Sequence, residues 1–255
     1  MRNTPAMVTC DALDRGSMEQ AKGVPPSALG LRNVKLLAGV DAQSLEALAQ
    51  QCRWRRFTHG QRVVSREAQD RDVYLIIAGR VRATAFSAAG RQVTYRDIRA
   101  GDWFGDLAAI DGRARSADIE ALDDTVVASM SPTVFRQLVH EHPSVCNCVL
   151  DRLVGLVRDL TDRIFDFSTL GVQNRVHTEL LRLAHEAGVS GNVARIQPAP
   201  KHADIAGKVS TYREQVTREL SAMVKRGLLQ RDSGALVIPD VARLERIVAE
   251  IRGIA

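Results

Sequence analysis

Two stretches of the chain carry side chains whose types and spacing could do chemistry. In FGDLAAIDGRARSA, Phe104 to Ala117, a carboxylate and a guanidinium stand at Asp106 and Arg115 on either side of a run of small residues. Arg115 offers a planar fork of donors for a phosphate, and Ser116 adds a hydroxyl. The backbone after Gly105 can open a helical turn whose N–H groups aim at the same anion. Asp106 would repel that phosphate, so its carboxylate is better explained as the acceptor for a ribose hydroxyl. The set makes sense as a cradle for a small anionic ligand. A surface aspartate and arginine joined by a loop is the plainer reading of the same residues.

The second stretch is STYREQVTREL, Ser210 to Leu220. Arg213, Glu214, Thr217 and Arg218 fall near one helical face at i, i+1, i+4 and i+5, while Val216 and Leu220 fall on another. Arginine suits guanine O6 and N7 and glutamate can accept from cytosine N4, so this face can read base edges in a major groove. Ser210, Thr211 and Tyr212 can reach phosphates from the helix start. A solvated face with internal Arg and Glu pairs is the competing reading.

The surrounding elements must position both stretches, and for the second they decide between its readings. Between Trp54 and Ser131 the apolar residues come in short runs rich in Val, Ile and Thr, punctuated by Gly79, Gly90, Gly101 and Gly112. That pattern predicts a compact antiparallel roll or barrel, with Gly79, Gly90 and Gly101 as turn residues. Ahead of it, Asp41 reads as the N-cap of a short helix with Leu45, Leu48 and Ala49 inward. Behind it, a helix is expected from Ser131 or Pro132 to just before Pro143.

Cys146, Leu150, Leu153, Val157, Leu160, Ile164 and Phe167 are then spaced 4, 3, 4, 3, 4, 3, the seam of a coiled coil. An amphipathic helix packed on its own domain is the alternative. Since the chain holds one such helix, its partner would be a second copy in a twofold dimer. From Gly171 onward the pattern gives a helix, a break at VSGNVARIQPAP, a helix, a short turn at Val209 and Ser210, the arginine-bearing helix, and a hairpin turning at Ser233 and Gly234. Helix, turn, helix and hairpin in that order form a winged helix-turn-helix, which favours the DNA-reading interpretation of Arg213 and its neighbours.

The expected organisation is a tail or arm over 1–33, a sensor domain over 34–142, a dimerisation helix over 143–170 and a DNA-binding domain over 171–255, in an α+β chain. With 255 residues and 45% apolar content the chain is long enough for two compact domains. A net charge of +5 is compatible with nucleic acid without requiring it. From Gly171 to the end, thirteen Lys and Arg stand against nine Asp and Glu, which places most of that surplus on the expected DNA-facing module. Cys10, Cys52, Cys146 and Cys148 show no CxxC pair and read as free thiols in a reducing cytoplasm. No stretch has signal-peptide character or reaches about 18 uninterrupted apolar residues, so no membrane partner is expected. His140 and His142 flank Glu141 but are poorly placed for one metal on a helix. No Ser-His-Asp, Cys-His, Walker or metal constellation occupies the C-terminal part, and no catalysis is expected.

The chain resembles the cyclic AMP receptor protein family, the Crp/Fnr class of bacterial transcription regulators, over about residues 34 to 240. FGDLAAIDGRARSA is similar to that family's phosphate-binding cassette, usually FGE, a small helix and RSA or RAA; YREQVTREL is similar to its RExxxR recognition-helix signature. The resemblance implies a cyclic-nucleotide-binding β-roll of jelly-roll type, a long central dimerisation helix and a winged helix. It implies a cassette of Gly105, Asp106, Leu107, Ala108, Arg115, Ser116 and Ala117. Within it Gly105 and Asp106 would touch the ribose of cAMP or cGMP and Arg115 and Ser116 the cyclic phosphate, with Thr161 reaching the base. It implies that Arg213, Glu214 and Arg218 read a palindromic DNA operator and that the dimer works with RNA polymerase. Asp106 departs from the family's glutamate and is shorter by one C–C bond, about 1.5 Å. The Fnr branch holds an iron-sulfur cluster on several N-terminal cysteines; with Cys10 alone in the tail, no cluster and no metal are expected.

Overall fold

The computed structural model describes residues 24–253 apart from Ala89 and Arg91; most of the expected tail, with Cys10, lies outside the described residues. Contacts divide the chain into two units, the first running to Thr84 and resuming at Asp97–Val149, the second made of Ala85–Arg96 and everything from Leu150.

The first unit opens with α1 (Ala28–Leu31) and α2 (Ala42–Gln51). Asp41 caps α2 as expected: its carboxylate accepts from the Ser44 amide at 2.9 Å and from the Ser44 hydroxyl at 2.6 Å, which holds its pKa below the usual carboxylate value. Leu31 is fully buried, so packing begins inside the stretch read as a tail or arm. A four-residue helix carries too few apolar positions for its period to show.

The strands that follow are β1 (Arg53–Phe57), β2 (Arg62–Val64), β3 (Val73–Ala78), β4 (Arg80–Phe86), β5 (Gln92–Arg99), β6 (Trp103–Phe104), β7 (Asp118–Ala121) and β8 (Thr125–Met130), with α3 (Asp106–Asp111) inserted after β6. They form two four-stranded sheets, β1-β8-β3-β6 and β2-β7-β4-β5, with antiparallel pairings. The expected roll is therefore present. Phe57, Tyr74, Ile76, Val81, Ile119 and Val127 meet in one buried cluster, each large apolar side chain contributing about 1.5–3 kcal/mol. Gly79, Gly90 and Gly101 all adopt positive φ, consistent with their reading as turn residues. Helix α4 (Pro132–Glu141) starts on Ser131, whose hydroxyl accepts from the Val134 amide at 3.3 Å.

Helix α5 (Pro143–Thr169) covers the expected seam. Along it Leu150, Val157, Leu160 and Ile164 are exposed, an apolar stripe bare in the single chain. The second unit continues with α6 (Val172–Ala187), β9 (Val189–Ser190), β10 (Val193–Ile196), α7 (His202–Lys208), α8 (Arg213–Lys225), β11 (Gln230–Asp232), β12 (Ala235–Ile238) and α9 (Val241–Arg252). Its sheet has the order β11-β12-β10-β9. The β11–β12 hairpin turns at Ser233 and Gly234, as the sequence pattern predicts. The partner strands β9 and β10 lie in the stretch read as a break, and α9 adds a helix that the pattern does not announce. Val176, Leu180, Ile205, Val216, Leu220, Met223, Ile238 and Leu244 close the core of this unit. Among the described residues no helix is long and apolar enough to cross a membrane.

The segment 85–96, read as part of a sensor domain over 34–142, packs with the second unit. Thr94 is buried to 1% exposure, and a Cβ on Gly207 of α7 would meet its hydroxyl at 2.8 Å. Local patterning of β4 and β5 reports only that they are strands, not which core their tip joins.

Candidate functional site

Asp106 and Arg115 are both buried, at 4% and 6% exposure, and belong to one wall of the roll. The chain turns from β6 into α3 through Gly105, whose φ of 94° favours glycine. A Cβ there would lie 2.5 Å from the Asp72 carbonyl and 2.6 Å from Arg115 Nη1, so glycine lets the loop close over the guanidinium. Asp106 begins α3; Ala108 is buried and Leu107 points out, and beyond the helix Ser116 is exposed while Ala117 is buried.

Arg115 is taken up by its own chain. Its Nε and Nη2 donate to Asp70 Oδ1 at 3.2 and 3.0 Å, Nη2 also donates to the Asp72 carbonyl at 2.8 Å, and Nη1 donates to the Gly105 carbonyl at 3.4 Å. The guanidinium lies 5.5 Å over the ring of Tyr74, which stacks on Phe104 at 4.8 Å. The Tyr74 hydroxyl donates to Asp70 Oδ2 and accepts from Arg55 Nη2 at 3.1 Å. Burial, then the hydrogen bond to Asp70, pushes the Tyr74 pKa up. Burial and the nearby Asp70 charge raise that of Asp72. In residue types, burial and glycine cradle the wall fits a phosphodiester of small size; in charge it already holds an internal anion. The sequence reading missed Asp70, Tyr74 and Arg55, because Asp70 and Arg115 are 45 residues apart and no local pattern joins them.

Thr161 sits exposed on α5, its hydroxyl donating to the Val157 carbonyl at 2.9 Å. It belongs to the second unit and the cassette to the first.

On α8 the side chains of Arg213, Glu214 and Arg218 are exposed, while Val216, Leu220 and Met223 are buried beneath them. Tyr212, the N-cap residue, is 65% exposed. Thr211 is placed otherwise than expected: it is buried, its hydroxyl donates to Gln215, and its amide donates to the Ala206 carbonyl at 3.0 Å, so it closes the turn. Ser210 is half-buried with φ 51° in that same turn. Thr217 is half-buried, donating to the Arg213 carbonyl at 2.9 Å with His202 Nδ1 2.7 Å from its hydroxyl.

The turn is held from behind by two arginines. Arg163 of α5 donates to the carbonyls of Thr94, Tyr95 and Lys208 at 3.1, 2.8 and 3.1 Å. Arg175 of α6 donates to the carbonyls of Val209 and Leu170 at 3.0 and 2.7 Å. Both guanidiniums lie over Phe167, at 5.7 and 5.4 Å. Phe167, read as the last seam position, is thus packed between arginines of its own chain. The carbonyls that end α7 receive cationic donors where the helix dipole is negative. Burial lowers the pKa of Arg163.

A β-roll with an arginine-centred cassette, a long helix, and a winged helix presenting arginines define a DNA-binding transcription regulator with a cyclic-nucleotide-type sensor domain. Residues 54–142 match the cyclic nucleotide-binding domain family, and residues 174–247 match the Crp-like helix-turn-helix domain family. The chain is 25% identical over 217 residues to a "CRP-like cAMP-activated global transcriptional regulator" of Mycobacterium tuberculosis, covering 85% of this chain and 97% of that one. Among solved structures, a CRP-family transcriptional regulator from Thermus thermophilus is 26% identical with a TM-score of 0.62, covering 76% of this chain and 96% of its own. A CooA variant from Carboxydothermus hydrogenoformans shares the fold at 19% identity with a TM-score of 0.72, covering 89% and 98%. The chain belongs to the cyclic AMP receptor protein family, the Crp/Fnr class of bacterial transcription regulators.

Proposed function

We propose that the protein is a cytoplasmic homodimeric regulator whose affinity for a palindromic DNA site is controlled by a cyclic nucleotide, cAMP or cGMP, held in the roll. The observation that carries this reading is the presence in one chain of a cassette with buried Asp106 and Arg115 and a helix with exposed Arg213, Glu214 and Arg218. Gly105, Asp106 and the first turn of α3, Leu107 and Ala108, hold the ribose side. Arg115, Ser116 and Ala117 take the phosphate. The exposed stripe Leu150, Val157, Leu160 and Ile164 supplies the dimer seam. Two recognition helices engage a palindrome only when set about one DNA turn, roughly 34 Å, apart. The ligand acts through its differential affinity for the DNA-competent and incompetent states. RNA polymerase is the downstream partner. The relative from Mycobacterium tuberculosis, described as cAMP-activated, supports the nucleotide class.

Isothermal titration with cAMP and cGMP in parallel tests the reading: binding of either at micromolar affinity or tighter, about −8 kcal/mol or better, is the expected result. Sedimentation of the same sample should show a dimer. The existing pair between Arg115 and Asp70 favours one second reading, the same DNA-binding dimer with a different effector or none in the roll. Silence toward both nucleotides, with DNA binding retained, selects it.

A further inference from the structure

We propose that Asp70 is a built-in counter-anion of the effector site, occupying Arg115 until the ligand phosphate takes its place, and so setting the concentration at which the effector binds. The inference rests on the cyclic-nucleotide reading above and deepens it.

A guanidinium has five N–H donors. Four are engaged within the chain: Nε and one N–H of Nη2 on Asp70, the other N–H of Nη2 on the Asp72 carbonyl, and one of Nη1 on the Gly105 carbonyl. One N–H remains. Bidentate recognition of a phosphate needs two parallel donors, so a phosphate gains its second only if a present acceptor leaves. The two carbonyls are backbone, fixed by the turn at Gly105 and the start of β3. Asp70 is the acceptor that can move: its side chain is 38% exposed, against 4% for Arg115, so it can turn to water while the arginine stays in place. Charge points the same way, since a phosphate beside an ionised Asp70 meets a like charge that Arg115 alone would have to offset.

The pair is also built rather than incidental. Asp70 Oδ2 accepts from the Tyr74 hydroxyl, Tyr74 is fixed by its stack on Phe104, and Arg55 holds the far side of that hydroxyl. Asp70 therefore has a defined position in the absence of ligand. Exchange frees the loop between β2 and β3 that carries it, so the anion swap is coupled to a local change of structure.

The full-length protein, its Asp70→Asn variant and its Tyr74→Phe variant are titrated with cAMP and with cGMP. Asp70→Asn keeps the shape but removes the competing charge, and at least tenfold tighter binding is expected. Tyr74→Phe keeps the ring stack but loosens Asp70, and a smaller gain in the same direction is expected; it decides the matter alone if Asp70→Asn does not fold, as judged by circular dichroism. Equal or weaker nucleotide binding by the folded variants overturns the role of Asp70 while leaving the cyclic-nucleotide reading intact. Absence of binding to all three folded proteins removes that reading, and the inference with it.

Discussion

Arg115 in the roll and Arg213 with Arg218 on α8 are the same residue type in opposite conditions. Arg115 is nearly excluded from water and satisfied by a carboxylate and two carbonyls. Arg213 and Arg218 stand exposed at the front of a helix whose back is buried. The desolvation of Arg115 was met when the chain folded, and on the proposed reading a ligand there replaces an existing partner. The α8 arginines keep their hydration in the free chain, and on the proposed reading give it up only to DNA. A small-molecule site can thus be closed on itself in the free protein, whereas a surface that reads DNA needs only to be brought into register.

The comparison breaks most visibly at Arg115. Arg115→Ala removes the phosphate partner and leaves Asp70 and two carbonyls without their donor. We expect nucleotide binding to fall at least about 100-fold, equivalent to roughly 2.7 kcal/mol, and stability to fall by about 3 kcal/mol. Titration calorimetry and urea unfolding read the two effects. A variant as stable as the parent would mean the internal pair contributes nothing. Arg213→Ala is the counterpart: a cost of about 1–3 kcal/mol at the specific DNA site with relaxed base preference, and an unchanged unfolding midpoint because the side chain is exposed. Unaltered base preference in a selection on random DNA would remove Arg213 from the reading set.

Arg163 sharpens the contrast, because it is a half-buried arginine that holds the turn ahead of the helix proposed to read DNA. Arg163→Ala leaves the carbonyls of Thr94, Tyr95 and Lys208 without their donor, at a cost of about 1–2 kcal/mol of stability. DNA binding is expected to weaken evenly across sequences, since the α7–α8 turn loosens while the reading side chains remain. Loss confined to one base position, measured by fluorescence anisotropy on single-substitution sites, would contradict that role. Arg163→Lys should rescue little, as one ammonium lacks the fork that reaches three carbonyls.

What is legible in the sequence follows from how each feature is encoded. The roll, the caps at Asp41 and Ser131, the seam of α5 and the helix-turn-helix are written in local periods and punctuation. Asp106 and Arg115 stand out because a short glycine-bearing stretch joins them. Asp70 meets Arg115 45 residues on, Arg55 meets Tyr74 19 residues on, and Arg163 and Arg175 reach the carbonyls of Lys208 and Val209 45 and 34 residues away, and nothing in a local window marks an arginine for a distant carbonyl. The same limit hides the docking of Thr94 on Gly207, which places residues 85–96 with the second unit. Strands β9 and β10, two and four residues long, are too short for alternation to register.

The smallest expected effect concerns a buried polar group in the DNA-binding unit that has no counterpart in the cassette. His177 of α6 is 1% exposed; its Nε2 donates to Glu219 of α8 at 2.7 Å, and Nδ1 has no partner. Arg226 donates to the same Glu219 oxygen at 2.6 Å, so the carboxylate is shared between a cation and a neutral imidazole. Burial lowers the pKa of His177 from 6.5, opposed by the Glu219 hydrogen bond and charge and assisted by Arg226. A lowered folded value means that the unfolded chain binds more protons just below pH 6.5. Stability is therefore full above the unfolded pKa and declines as pH falls through about 6.5 toward the folded value. His177→Gln retains a donor for Glu219 and cannot titrate. Between about pH 7.5 and about pH 5.5 the parent should lose roughly 2–4 °C more in Tm than this variant. Equal losses would show that the imidazole accepts its second proton at no cost, and that the unpartnered Nδ1 finds an acceptor when charged.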